Sequence, residues 1–106
     1  MSVIMTMKVR GDVRKLEERA AADPDAMRGI AEHAKKHGLI AHRFYGTDDG
    51  QIMVVDEWPS AEDFQSFFEH VGPQVQKLMD AAGVTKEPEI TFWRKLDTGD
   101  DLGWGA

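Results

Sequence analysis

The 106-residue sequence predicts an α+β domain in which amphipathic helices cover one face of a four-stranded antiparallel sheet. Three observations lead there. Residues 3 to 10 alternate with a period of two, residues 52 to 68 pass abruptly from a strand pattern into a capped helix with an aromatic face, and the strand and helix signals recur in one fixed order along the chain.

In residues 3 to 10, Val3, Met5, Met7 and Val9 share one side and Ile4, Thr6, Lys8 and Arg10 the other, which is a strand period. Gly11 breaks it and Asp12 can cap the run Val13 to Ala22, which is rich in strong helix formers. Asp23-Pro24-Asp25 places a cap directly before a proline in the first helical position, so a second helical segment restarts there after a kink. Met27, Ile30, Ala31 and Ala34 form its apolar stripe and Gly38 stops it. Leu39 to Tyr45 predicts a strand, Gly46 to Gly50 a hairpin loop, and Gln51 to Trp58 the antiparallel partner. That loop leaves the register open by one residue, and a one-residue slip exchanges the faces of every side chain.

Pro59 ends the strand, and Ser60 with Asp63 makes a variant capping box with an acid one methylene shorter than usual. Phe64, Phe67, Phe68 and Val71 line one face of the next helix. Gly72-Pro73 is expected to interrupt it, because proline has no amide hydrogen for the preceding turn. The stripe resumes with Val75, Leu78, Met79 and Ala82, predicting two helical pieces over one apolar surface. After Pro88, Ile90 and Phe92 alternate with Thr91 and Trp93 as a last strand. The domain is expected over residues 1–96, with 97–106 a Gly- and Asp-rich tail carrying Trp104.

Strand, split helix, strand, strand, split helix, strand is the βαββαβ order of the ferredoxin-like motif. A sheet with one face in water should be polar at every second position. These strands are not: Ile52 and Val54 point one way, Met53 and Val55 the other, and Trp93 opposes Ile90 and Phe92. A second copy packed sheet to sheet is the expected cover, hence a homodimer. The alternative is a tail folded back with Trp104, although the nine residues from Thr98 to Ala106 cover only part of a four-stranded face.

A formal charge of -6, with 13 basic and 19 acidic residues and no basic stripe, argues against a nucleic-acid or acidic-membrane partner. The absence of cysteine excludes disulfides, thiol catalysis and thiolate metal sites. The first residues read as a strand, with neither a long apolar run nor a signal-type cleavage region, so a cytoplasmic location is expected. The glycines have neither the phosphate-loop nor the dinucleotide spacing, and no cofactor is expected. Ser60 serves better as a cap than as a nucleophile, and Ser66 occupies a polar helical position.

The junction Val54-Val55-Asp56-Glu57-Trp58-Pro59-Ser60-Ala61-Glu62-Asp63-Phe64 resembles that of the dimeric α+β barrel superfamily, in particular its antibiotic-biosynthesis-monooxygenase-like members. In element order the resemblance covers residues 3 to 96. It implies a dimer with one pocket per subunit between helices and sheet, and activities ranging from cofactor-free oxygenation of polycyclic aromatics through haem degradation and decarboxylation to no identified catalysis. The chain departs from that pattern in two places. It contains no Asn, on which the quinone-forming and haem-degrading members rely, and Phe67 stands where many relatives carry histidine.

Among candidate site residues, His33 and His37 have the four-residue spacing of a shared metal, but no third ligand is evident and they suit the helix C-terminus. No metal site is assigned. His42 and Arg43 sit mid-strand on opposite faces, and Asp56 or Glu57 on the next strand can reach one of them. That is either a structural ion pair or a base and an anchor, with His42 the proton acceptor, Arg43 the anion anchor and Asp56 the orienting acid. Tyr45, Trp58, Phe64, Phe67, Phe68 and Trp93 are core or the walls of a slot for a flat ligand. His70 is expected at the surface or a pocket rim. The expected function is a small dimeric protein binding an apolar or aromatic small molecule. Any catalysis would take the form of cofactor-free, oxygenase-type or proton-transfer chemistry; a non-catalytic binding module and a purely structural dimerisation module remain open alternatives.

Overall fold

A computed structural model describes residues 2–104; the last two positions of the expected tail lie outside the described residues. The elements run β1 (Val3–Arg10), α1 (Val13–Ala22), α2 (Pro24–Lys36), β2 (Ala41–Gly46), β3 (Gln51–Trp58), α3 (Ala61–Ala81) and β4 (Glu89–Arg94). The sheet order is β2-β3-β1-β4, with every neighbouring pair antiparallel. This is the ferredoxin-like βαββαβ arrangement that the element order predicts.

Parity sorts the two faces. Met5, Met7 and Val9 of β1 lie opposite Asp56, Val54 and Ile52 of β3, and all six are buried beneath the helices. From above, α3 contributes Phe64, Phe67, Val71, Leu78 and Met79, and Trp58 at the end of β3 is fully buried. Each such side chain contributes about 1.5–3 kcal/mol by leaving water.

The ends of the helices follow their side chains. Asp12 accepts the amides of Arg14 and Lys15, and Asp23 closes α1 and opens α2 by accepting that of Ala26. At α3, Ser60 Oγ accepts from the Asp63 amide at 3.2 Å. Asp63 in turn receives the Ser60 hydroxyl at 3.1 Å; its short side chain takes the hydroxyl, not the backbone amide of the full capping box.

Two expected boundaries shift. The expected break at Gly72-Pro73 is absent, since α3 is one helix of 21 residues with Pro73 inside it. Proline deprives only the Glu69 carbonyl of its partner, and Glu69 and Pro73 are both exposed, so water can take its place. Buried side chains on either side of Pro73 hold both halves on the sheet. Strand β2 begins at Ala41, later than the expected Leu39, because the Leu39 amide still bonds back to the Ala34 carbonyl as part of the helix exit.

The β2–β3 loop fixes the register that the sequence left open. The Thr47 amide donates to the Gln51 carbonyl at 2.9 Å, and Gly50 has φ +94, a conformation that glycine accommodates without strain. The Thr47 hydroxyl donates to Asp49 and holds its carboxyl below the ordinary aspartate range. The register that follows pairs His42 with Asp56, Arg43 with Val55, and Tyr45 with Met53.

Among the described residues, no helix covers the other face. It carries rows running Tyr45–Met53–Lys8, Arg43–Val55–Thr6 and Ala41–Glu57–Ile4–Trp93 across the strands. Trp93 is 53% exposed and lies over β1, donating its indole N–H to Thr6 Oγ1 at 2.8 Å. The tail does not fold back across this face as the alternative reading expected. Lys95 pairs with Asp101 at 2.5 Å, and Leu102 and Trp104 stand almost wholly exposed.

Candidate functional site

Asp56 is the buried charged residue of the core, 5% exposed, and both its oxygens are engaged. His42 Nδ1 lies 2.7 Å from Oδ1, and Trp58 Nε1 donates to Oδ2 at 3.0 Å. An ionised carboxylate can only accept, so against it Nδ1 is the donor, and in the neutral form of such a ring Nε2 presents a lone pair. Burying a carboxylate is expensive, and two donors in good geometry offset that cost. The strands set this geometry: His42 and Asp56 are direct cross-strand partners, and Trp58 is two residues further on the same face.

The pair opens onto a cavity of about 80 Å3 between sheet and helices. Its remaining lining is apolar: Phe44, Val54 and Met5 from the sheet, Phe64, Phe67 and Phe68 from α3. Phe44 meets the His42 ring edge-on, with centroids 5.2 Å apart and planes at 86°. Trp58 packs on Phe64 and Phe67 at 5.8 and 5.5 Å, and Phe92 closes against Phe64 at 5.7 Å. Four of the six methionines, Met5, Met7, Met27 and Met79, line the space. The cavity is smaller than the 300–1,000 Å3 or so typical of ligand sites, but methionine walls repack readily.

Such an arrangement can accept a proton at Nε2 from a group held against the aromatic lining, while Asp56 stabilises the resulting imidazolium; the His42 side chain itself is 32% exposed. Among the described residues, no group of three or more His, Asp or Glu side chains is arranged to hold a metal ion, and no helix is long and apolar enough to cross a membrane.

No model of a known protein family matches the sequence, and no curated protein matches it. Solved structures do match. A dimeric ferredoxin-like protein from an uncultured marine organism aligns over 91% of this chain and 89% of its own, with TM-score 0.64 and 16% identity. SnoaB, a cofactor-independent oxygenase from Streptomyces nogalater, aligns over 94% and 98% with TM-score 0.64 and 13% identity. An antibiotic biosynthesis monooxygenase aligns over 90% and 99% with TM-score 0.64 and 11% identity. The fold is that of the antibiotic-biosynthesis-monooxygenase-like proteins. At these identities the likeness carries the architecture and leaves the chemistry to the site.

Within this ferredoxin-like fold the candidate residues divide by face. His42 and Asp56 come together, and Trp58, Phe64, Phe67 and Phe68 surround the same core. Arg43, expected as an anion anchor, lies on the bare face with its guanidinium donating to the Tyr45 hydroxyl at 3.2 Å. Tyr45 and Trp93 share that face, so neither walls the helix–sheet cavity; odd parity on β2 and β4 turns both away from Met5 and Met7. Glu57 takes the Ser2 hydroxyl instead of a basic partner. Phe44, not singled out among the candidate walls, also lines the cavity, and it stands two residues from His42, a signal of a shared face. His33, His37 and His70 form a separate group outside the cavity, with centroids 4.9 Å apart for the first pair and 5.6 Å for His37 and His70.

Proposed function

We propose that this chain forms a homodimer through its bare sheet face and binds an apolar or aromatic small molecule in the helix–sheet cavity of each subunit, where His42 removes a proton from a phenolic hydroxyl or an acidic C–H. The observation that carries this reading is the buried Asp56 carboxylate, held by Trp58 and directed at His42 on the wall of an otherwise apolar cavity. Deprotonation makes an aromatic ring electron-rich, which is the activation that reaction with dioxygen needs when no cofactor takes part. The likeness to SnoaB, a cofactor-independent oxygenase, supports oxygenase-type chemistry as the form of catalysis. The dimeric state of a ferredoxin-like neighbour supports a homodimer.

One observation favours a second reading. At about 80 Å3 the cavity admits no polycyclic ligand without rearrangement, as expected of a non-catalytic or structural dimer module in which His42 and Asp56 only tie β2 to β3. Oxygen uptake with a panel of phenols and hydroxynaphthalenes separates the two. The catalytic reading expects uptake by the parent and loss of at least about a hundredfold in His42→Ala, the scale of a general base. Equal turnover in parent and variant removes His42 from catalysis, and ligand binding without turnover supports the non-catalytic module.

A further inference from the structure

Between α2 and α3 the helical layer opens into a groove of about 820 Å3, on the side of the domain away from the bare sheet face. Its floor is Met27, Ile30, Val71 and Leu78. Met27, Ile30 and Leu78 also line the inner cavity, so these three side chains form the partition between the two spaces.

The groove is chemically unlike the chain that carries it. The protein has a formal charge of -6, yet the groove is lined by Arg19, Lys77, His33, His37 and His70 against a single acid, Asp23. Asp23 is already engaged, accepting the Ala26 amide through Oδ1 and facing Arg19 through Oδ2 at 3.9 Å. His37 Nδ1 lies 3.2 Å from the His33 carbonyl oxygen, which can only accept, so this nitrogen carries the proton. The rings of His33 and His37 lie tilted against Phe67, with centroids 6.0 and 5.8 Å away. Lys77 and Arg19, with three imidazoles beside them, rim an apolar floor, and this basic rim complements a ligand with the opposite pattern, a negative head on an apolar body.

We infer that the α2–α3 groove anchors the carboxylate of an amphipathic organic acid, whose apolar body lies along Met27, Ile30 and Leu78 toward the cavity. The inference names the ligand class of the proposed pocket and rests on that reading. It selects an aromatic or extended aliphatic acid over a neutral hydrocarbon or a cation, and it gives the cavity an entrance through a methionine-bearing partition that can repack.

The test compares 2-naphthoate with 2-naphthamide, which share a ring system and differ in charge, by following backbone amide shifts of the full chain. Naphthoate is expected to bind about tenfold more tightly at low salt, with shifts at His33, His37 and His70 and also at Phe44 and Phe68. Raising the salt to about 0.5 M should weaken naphthoate and leave naphthamide unchanged, since exposed charges are screened. Substituting His33→Gln, His37→Gln and Lys77→Gln together should bring the two affinities within about twofold. Equal affinities in the parent, with shifts at Phe44 and Phe68, overturn the anion groove and leave the pocket reading standing. No shift at Phe44 or Phe68 from either compound removes the pocket reading and with it the inferred ligand class.

Discussion

At Asp56 the distinction between holding the fold and doing chemistry is open to measurement. Its two oxygens take one donor each, so Asp56→Ala leaves the buried Trp58 N–H without a partner, while water can serve the part-exposed His42, and should cost about 1–3 kcal/mol in a urea titration. Asp56→Asn is a different experiment. The amide oxygen can keep the Trp58 bond, while the amide N–H can serve His42 only if the ring moves its proton from Nδ1 to Nε2. Stability should then fall by no more than about 1 kcal/mol, and turnover should fall with the lost lone pair. The imidazole nitrogen spectrum checks this directly: the parent should show an Nδ1–H tautomer and the variant an Nε2–H tautomer. An unchanged tautomer would break the link between Asp56 and the proposed base. The sequence showed that Asp56 or Glu57 could meet His42 or Arg43, and parity already placed His42 and Arg43 on opposite faces. Choosing the pair required the register, which residues 47 to 50 set through backbone hydrogen bonds that composition does not reveal. Tyr45 and Trp93 were candidates for core or slot wall by aromatic character, which carries no information about face.

The elements themselves were largely legible because each has a local physical cause. Asp12, Asp23 and Ser60 cap their helices through their side chains, and the alternation in residues 3 to 10 matches the burial of Met5, Met7 and Val9. Pro73 was misread as a break because a local rule met a stronger tertiary one. Phe64, Phe67 and Val71 before it and Leu78 and Met79 after it all bury on the same sheet, and together they outweigh one missing hydrogen bond. Pro73→Ala restores that bond at an exposed position and should stabilise the protein by about 1–3 kcal/mol, seen as a higher urea midpoint with an unchanged slope. The start of α3 responds in the opposite direction. Ser60→Ala removes the acceptor for the Asp63 amide and should cost about 1 kcal/mol. A third position links β1, α1 and α3. A Cβ at Gly11 would stand 2.8 Å from Val84 Cγ2 and 2.9 Å from the Ala82 carbonyl oxygen, while the Asp12 amide already bonds that oxygen at 2.8 Å. Gly11→Ala should therefore destabilise by about 1–3 kcal/mol through overpacking, with the heat-unfolding midpoint lowered accordingly.

For the whole molecule, the proposed assembly turns on the sheet face that the helices leave unpartnered. Its rows mix Ile4, Met53, Val55, Tyr45 and Trp93 with Lys8, Arg43, Thr6 and Glu57, a composition closer to an interface with an apolar centre and polar rim than to a protein core. The sequence indicated this from its two-sided strands, but it did not show that the helices and tail leave the face bare; that follows from where the helices pack and from the exposure of Leu102 and Trp104. Val55 lies near the middle of the face, opposite Arg43 on β2 and Thr6 on β1. In an isolated subunit a glutamate there would reach water and could pair across the strands with Arg43, so Val55→Glu should change the stability of the monomer by less than about 1 kcal/mol. In a sheet-to-sheet dimer the same change buries two like charges near the symmetry axis, and the dissociation constant should rise by at least about a hundredfold. Sedimentation of parent and variant across the micromolar range reads the difference. The parent should run as a dimer and Val55→Glu as a folded monomer with unaltered far-ultraviolet dichroism. If the parent sediments as a monomer throughout that range, the bare face has some other partner, and each cavity must then work within one subunit.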